Sequence, residues 1–284
     1  MQLLISGLAM GSIYAMIALG FTLLWNACGL INFAQGEFAM LGMFFALTFY
    51  AFWGWPAALS IILSLLLVSL VGIILERLAI RRVYGRELTV IVIITVGLQI
   101  FLSNSARFVW GSHPFRFPHI FGTAKITSFN ISVETVLMFA LAMVSIAVLQ
   151  FLLKKTNLGL AMRALSQDQE TAMLMGINVP MMLSLAFGLS SFLGAFAGIL
   201  MAPQLFVAAD IGLPLIIKAF VAAVIGGFGS YPGALLGGLI IGVLDNMSSF
   251  YISTAYRDVI TFSALILILV FKPSGLFGKA KEGW

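Results

Sequence analysis

Three groups of polar residues interrupt an otherwise apolar chain, and their types suit binding and passage of a solute rather than bond-making. Asn32, Gln35 and Glu37 lie within six residues of one another, in Asn32-Phe33-Ala34-Gln35-Gly36-Glu37. Lys218 stands alone in an apolar run that ends in the glycines Gly226, Gly227, Gly229 and Gly233. The third group, Ser166 to Gly176, reads S-Q-D-Q-E-T-A-M-L-M-G. A carboxylate, carboxamides and an ammonium in apolar surroundings are expensive unless paired or wetted, which marks them as candidate pathway groups. No H-E-x-x-H or G-x-S-x-G pattern occurs, and the glycine cluster lacks the Lys-Ser/Thr that closes a phosphate loop. Asp245 and Asp258 lie on separate segments, without support as a proteolytic pair, and Arg257-Asp258 reads as a local charge pair at a helix start.

Composition says what must position these groups. Of 284 residues, 62% are hydrophobic and only 9% are charged, and Glu37 is the sole charged side chain before Glu76. Most of the chain must therefore be dissolved in lipid, as helices, because an open strand edge cannot be satisfied in hydrocarbon. Met1-Gln2-Leu3 places no Lys or Arg ahead of the first apolar run, so a cleaved leader is not expected. The net charge of +5 comes from clusters at span ends: Arg77, Arg81, Arg82 and Arg86; Lys154, Lys155 and Arg163; Lys272, Lys279 and Lys281. This is the positive-inside pattern, not a nucleic-acid face. A single cysteine, Cys28, excludes an intrachain disulfide.

Apolar runs at about 3–25, 36–53, 57–75, 89–106, 133–153, 181–202, 213–228, 232–251 and 257–271 predict an all-α polytopic membrane protein. Eight or nine transmembrane helices are expected, 36–53 and 213–228 being short enough for re-entrant or broken helices. The whole of 1–284 is one transmembrane domain, with an external segment at about 107–132 and a cytoplasmic segment at about 154–180. Nine crossings put the N-terminus outside and the C-terminus in the cytoplasm. The external segment sets His113 and His119 among aromatic and basic residues, as at a membrane–water interface, with no acid or cysteine between them to build a metal site. Gly7/Gly11, Gly194/Gly198, Gly233/Gly237 and Gly238/Gly242 are each spaced by four, which suits close helix packing.

Local signals sharpen two of the polar groups. Asn32 is an expected N-cap with Gln35 as its capping-box partner, which sets Glu37 in the first turn of a helix. The arrangement is either a discontinuous helix lining a pathway or an ordinary loop and cap. Lys218 is expected either to pair with Asp210, Glu37 or Asp245 or to snorkel to an interface. Ser166 is the expected cap of a short isolated helix, with Gln169 three residues on, Asp168 and Glu170 in its first turn, Gly176 as a left-handed stop and Pro180 beyond. So short a helix is marginal alone, and implies a surface to dock on.

The blocks G-S-I-Y-A-M-I-A-L-G (11–20), I-N-F-A-Q-G-E (31–37), E-R-L-A-I-R (76–81), R-A-L-S-Q-D-Q-E-T-A-M-L-M-G-I-N (163–178), the glycine-rich 218–234 and K-P-S-G-L-F-G (272–278) span nearly the whole chain. Taken together they resemble the inner-membrane permease subunit of branched-chain amino-acid ABC importers. The resemblance implies a non-catalytic permease of the bacterial inner membrane that binds no cofactor itself. ATP and magnesium would belong to two cytoplasmic ATPase subunits. A sister permease, a periplasmic binding protein and the lipid bilayer complete its partners, with no nucleic acid. Glu170-Thr171-Ala172 and Gly176 match the coupling-helix pattern of importer permeases, which implies that Arg163, Ser166, Asp168, Glu170, Ala172 and Gly176 meet the ATPase. Gln35 stands where such permeases commonly carry His, and Gln167 where an acid commonly precedes Asp168. Substrates of the family extend to urea, short amides and other amino acids. The competing expectation is a self-sufficient secondary transporter or channel, which predicts transport without ATP and a pathway rich in paired intramembrane charges, a pattern the sequence does not show.

Overall fold

The computed structural model describes residues 2–119, 125–126 and 131–278, with the backbone alone for Lys125, Ile126, Ile131, Gln169, Glu170 and Ala255. The basic Lys279 and Lys281 lie outside the described residues.

The chain runs as α1 (Gln2–Cys28), α2 (Gln35–Leu47, continued by a π turn to Phe52), α3 (Ala57–Leu75), a π turn (Glu76–Ile80) and α4 (Arg81–Val83). Next come α5 (Leu88–Trp110), β1 (Phe115–Arg116), β2 (Lys125–Ile126), β3 (Ile131–Ser132), α6 (Val133–Lys155), α7 (Asn157–Gln167) and α8 (Gln169–Leu174). The rest is α9 (Val179–Met201), β4 (Phe206–Val207), α10 (Gly212–Gly226), α11 (Tyr231–Tyr251) and α12 (Arg257–Phe271). Among the described residues, six helices are long and apolar enough to cross a membrane: α1, the continuous rod Ala57–Val83, α5, α6, α9 and α11. The other three expected spans are shorter: α2 with its π turn, α10 and α12. This is an all-α polytopic membrane protein.

Burial separates a central layer from an outer one. Helices α1 and α9 are enclosed along most of their length, whereas most of α3, α5 and α6 is half-buried or exposed. The exposed side chains of these outer helices are large and apolar, including Leu66, Leu70, Ile93, Phe101 and Phe151, as a lipid-facing surface requires. In the centre, glycines let backbones meet. Gly7 and Gly11 of α1 lie against Val243 and Leu239 of α11, and Gly238 and Gly242 against Ala15 and Gly11. Gly198 of α9 meets Ala39 of α2, and Gly226 of α10 meets Gly233 of α11. Association in lipid has little hydrophobic drive between helices, so such backbone contact is the main source of packing attraction.

The strands are clips, not layers. β1 pairs antiparallel with β4, Phe115 opposite Val207 and Arg116 opposite Phe206, which ties the segment after α5 to the loop after α9. β2 and β3 form a second such pair. Phe117 is buried and stacks with Tyr50 at 6.2 Å, and His119 Nδ1 lies 2.7 Å from Glu134 of α6. Part of the expected external segment is thus pinned to the helices it connects.

Candidate functional site

The polar group at Asn32–Glu37 sits where two interrupted helices begin. After α1 the chain turns at Gly29 and returns along its neighbours, with Thr95 donating to the Ile31 carbonyl at 3.4 Å. Helix α2 then starts at Gln35, beside Gly20 of α1 and Ser190, midway along α9. Helix α10 starts at Gly212, whose backbone lies on Gly36 and the Glu37 carboxyl group, with no room for a β-carbon. Asn32 does not cap α2. Its Oδ1 instead accepts from Ala34 N at 3.1 Å, an Asx turn that tightens the loop, and the cap position falls to Ala34. Nor does Gln35 complete a capping box. Its Nε2 donates to the Ser190 carbonyl at 2.9 Å, and its Oε1 accepts from Ser190 Oγ at 2.8 Å. Tertiary hydrogen bonds inside the bundle outbid the local motif, because a buried carboxamide must be satisfied on both ends.

Glu37 lies in the first turn of α2, where the helix dipole favours a carboxylate. It is 1% exposed. Gln99 of α5 donates to its Oε1 at a long 3.4 Å, while Oε2 has no hydrogen-bond partner. The Nδ2 of Asn32 is also buried and unpartnered. A vacant acceptor and a vacant donor therefore stand in one short segment at the junction of two helix starts.

Lys218 does not snorkel. It is buried, and of its three expected partners Asp245 of α11 is the one it reaches, Nζ to Oδ2 at 2.6 Å. The same Oδ2 accepts from Tyr14 of α1 at 2.9 Å and lies 2.8 Å from Arg257. Oδ1 accepts from Thr261 at 3.0 Å. Arg257 is therefore not a local partner of Asp258. It reaches inward to α11, while the exposed Asp258 approaches Lys218 at 3.4 Å. One buried carboxylate thus joins α1, α10, α11 and α12, and full hydrogen bonding is what makes such a burial tolerable. Sequence reasoning missed Ser190, Gln99, Tyr14 and Thr261. The available signal was the position of each hydroxyl or carboxamide inside an apolar helix.

The 154–180 segment holds two helices where one was expected. Thr156 caps α7 and accepts from Gly159 N at 3.4 Å, and Leu158, Met162 and Leu165 face the bundle. Ser166 is inside α7, its hydroxyl donating to the Arg163 carbonyl at 2.7 Å, so it caps nothing. Asp168 does that work for α8: its carboxylate accepts from Thr171 N at 3.3 Å and from Thr171 Oγ1 at 2.6 Å. Gly176 has φ of +84°, and Ile177 N donates to the Ala172 carbonyl at 3.0 Å, which closes α8 in the left-handed manner. Ala172 is buried, Arg163 is exposed, and the side chain of Glu170 lies outside the described residues. Between α7 and α8 runs a groove of about 410 Å³ lined by Leu160, Ala164, Thr171, Ala172 and Met175. Leu174 and Met175 are 87% and 79% exposed.

Immediately after α8, Asn178 caps α9 by accepting from Met181 N at 3.1 Å. There Arg81 acts as a clamp. Its guanidinium donates to both oxygens of buried Glu76, at 2.9 and 2.8 Å, to the Pro180 carbonyl at 3.0 Å and to Ser184 Oγ at 2.6 Å. The far end of the Ala57–Val83 rod is thereby fastened to the first turn of α9. A lysine could not reproduce this fork.

Comparison with known proteins covers almost the whole chain. Residues 3–269 match the family model described as branched-chain amino acid transport system / permease component. The high-affinity branched-chain amino acid transport system permease protein LivH of Salmonella typhimurium is 34% identical, over 98% of this chain and 96% of that protein. BraD of Pseudomonas aeruginosa, a permease protein of the same description, is 35% identical over the same shares. A probable LivH of Methanocaldococcus jannaschii is 28% identical over 94% and 89%. No solved structure matches.

Proposed function

Because the chain belongs to the permease-component family of branched-chain amino acid transport systems, we propose that it is one membrane subunit of an ATP-driven importer. It would form part of the pathway for branched-chain or related amino acids delivered by a periplasmic binding protein. A sister permease would complete the pathway, and two cytoplasmic ATPase subunits would bind ATP and magnesium. Counting the three shorter helices gives nine crossings, with the N-terminus outside and the C-terminus in the cytoplasm.

The observation that carries this reading is α8. A helix of six residues is far below the length that stands alone in water, yet this one is capped at both ends and presents Leu174 and Met175 outward. It is built to be covered. The ATPase is the occupant, with Arg163, Ser166, Asp168, Glu170, Ala172 and Gly176 on or beside the docked surface. Movement there reaches the membrane through α9, to which Arg81 fastens the Ala57–Val83 rod. Asn32, Gln35 and Glu37 line the pathway, with the vacant Glu37 oxygen as acceptor for a substrate ammonium. Lys218 holds the lining through Asp245, and Gly226, Gly227, Gly229 and Gly233 let the turn between α10 and α11 pack closely.

The test is uptake by the reconstituted assembly with ATP inside the liposomes. Gly176→Pro and Asp168→Lys should insert normally, hydrolyse ATP and fail to import. Wild-type import by both variants would overturn the coupling assignment. The Lys218–Asp245–Arg257 cluster is one instance of the paired charge of which a secondary transporter needs many, so a second reading stands beside the first. Uptake by this chain alone, driven by an ion gradient without ATP, would decide for it.

A further inference from the structure

Four helix ends enclose a cavity of about 300 Å³ between α1, α6, α7 and α11. Its walls divide by chemistry. The floor is apolar: Ala27, Leu153 and Met162 are all buried. The rim carries Lys154 and Arg163, both exposed, with Asn26, Gln150, Ser166 and Tyr231 as neutral polar groups. Gln150, Leu153 and Lys154 share one face of the last turns of α6. Gly159, Met162, Arg163 and Ser166 share one face of α7. The two faces are held together where Gly159 packs onto the Leu153 backbone without space for a β-carbon.

Among the described residues, no carboxylate lies within salt-bridge distance of Lys154 or Arg163. Arg163 donates from Nε to the Gly159 carbonyl at 3.3 Å, and among the described residues its terminal nitrogens make no hydrogen bond. Two cations without a paired carboxylate among the described residues therefore stand over an apolar hollow, at the ends of membrane helices where lipid headgroups lie.

We propose that this cavity is a binding site for an anionic phospholipid, its phosphate held by Lys154 and Arg163 and its glycerol and upper acyl carbons seated over Ala27, Leu153 and Met162. Basic pockets between transmembrane helix ends suit such headgroups. The planar guanidinium engages a phosphate through two parallel donors and the ammonium as a point charge. The apolar floor is what separates this ligand from a free anion, since inorganic phosphate has nothing to place there. The proposal shares Arg163 and Ser166 with the import reading, which sets them beside the ATPase surface, and otherwise needs only the membrane and the cavity.

Native mass spectrometry of the full chain, released from micelles containing equal phosphatidylglycerol and phosphatidylcholine, tests it. The wild type should retain one phosphatidylglycerol in preference to phosphatidylcholine. Two surface cations each contribute about fivefold to anionic-lipid binding, so Lys154→Gln with Arg163→Gln should lower that preference roughly 25-fold. Both side chains are exposed, so folding is not at stake. Equal preference in the double variant would overturn the proposal. Displacement of the lipid by millimolar inorganic phosphate would overturn it too, by showing a site for the free anion.

Discussion

The Lys218 ammonium lies 2.6 Å from the Asp245 carboxylate, with both side chains buried and with Arg257 and Tyr14 on the same oxygen. The two members of this pair are not equivalent. Removing Lys218 leaves Asp245 with Arg257, Tyr14 and Thr261. Removing the charge of Asp245 leaves the buried Lys218 with the exposed Asp258 alone, at 3.4 Å, and takes the carboxylate from Arg257, whose side chain is about a third exposed. Asp245→Asn should therefore lower stability by up to about 3 kcal/mol, the low end of the range for breaking a buried pair, because Lys218 keeps Asp258 and Arg257 reaches solvent, and Lys218→Met by clearly less. Thermal unfolding of the purified protein, followed by size-exclusion chromatography, reads both. A larger loss for Lys218→Met would show that Arg257 does not share the carboxylate.

The caps of the 157–176 hairpin give a second pair of opposed expectations. Asp168→Ala removes the acceptor of Thr171 N and Thr171 Oγ1 and should destabilise α8 locally by about 0.5–2 kcal/mol. Ser166→Ala removes a hydroxyl already bonded within α7 and should change little. Amide exchange in 169–176 should quicken for the first variant alone. Equal exchange in both would return the capping role to Ser166.

How much of this was legible beforehand depends on the range of the forces involved. Hydrophobic runs placed the long helices to within a few residues, because apolar length is a one-dimensional property that lipid reads directly. The stop at Gly176 was equally local. The capping boxes at Asn32/Gln35 and Ser166/Gln169 were misjudged for two different reasons. Gln35 was claimed by Ser190, 155 residues away, which no local pattern reveals. Ser166 was absorbed because Thr156 had already started α7, a cap whose periodic partners Leu158, Met162 and Leu165 were present but read as polar connection. For Lys218 the sequence leaves pairing and snorkelling open, and the choice of Asp245 over Asp210 and Glu37 depends on how α10 lies along α11.

Helix packing yields a sharper contrast between glycines. A β-carbon on Gly11 would strike the backbone of Leu239 and Gly238, at the seam between α1 and α11. On Gly97, in the outer helix α5, no described atom beyond the helix's own nearby backbone lies within 4 Å of the same position. Overpacking against side chains costs about 1–3 kcal/mol, and backbone yields less readily than side chains, so Gly11→Val should reach or exceed the top of that range. Gly97→Ala should be neutral or stabilise by up to about 1 kcal/mol through helix propensity. The yield of monodisperse protein after detergent extraction separates them. Comparable yields would mean that α1 and α11 are less closely apposed than their glycines require.

Glu37 offers the most direct link from an unsatisfied atom to transport. Among the described residues, its Oε2 is buried without a partner, and the hydrogen bond to Oε1 is the long one from Gln99. A group left so incomplete is poorly accounted for as structure, since an unmet buried acceptor costs about 1–3 kcal/mol or more when charged. Glu37→Gln preserves shape while replacing the carboxylate with a neutral amide. Import of an amino acid by the reconstituted assembly should fall on the order of tenfold or more, the loss expected for one charged hydrogen bond of about 1.5–3 kcal/mol. ATP hydrolysis should hold, so that more ATP is spent per molecule moved. Glu37→Asp keeps the charge at a shorter reach and should retain part of the import. Undiminished import by Glu37→Gln would remove the carboxylate from the pathway. Loss of assembly in that variant would instead make Glu37 a packing residue at the meeting of α2 and α10.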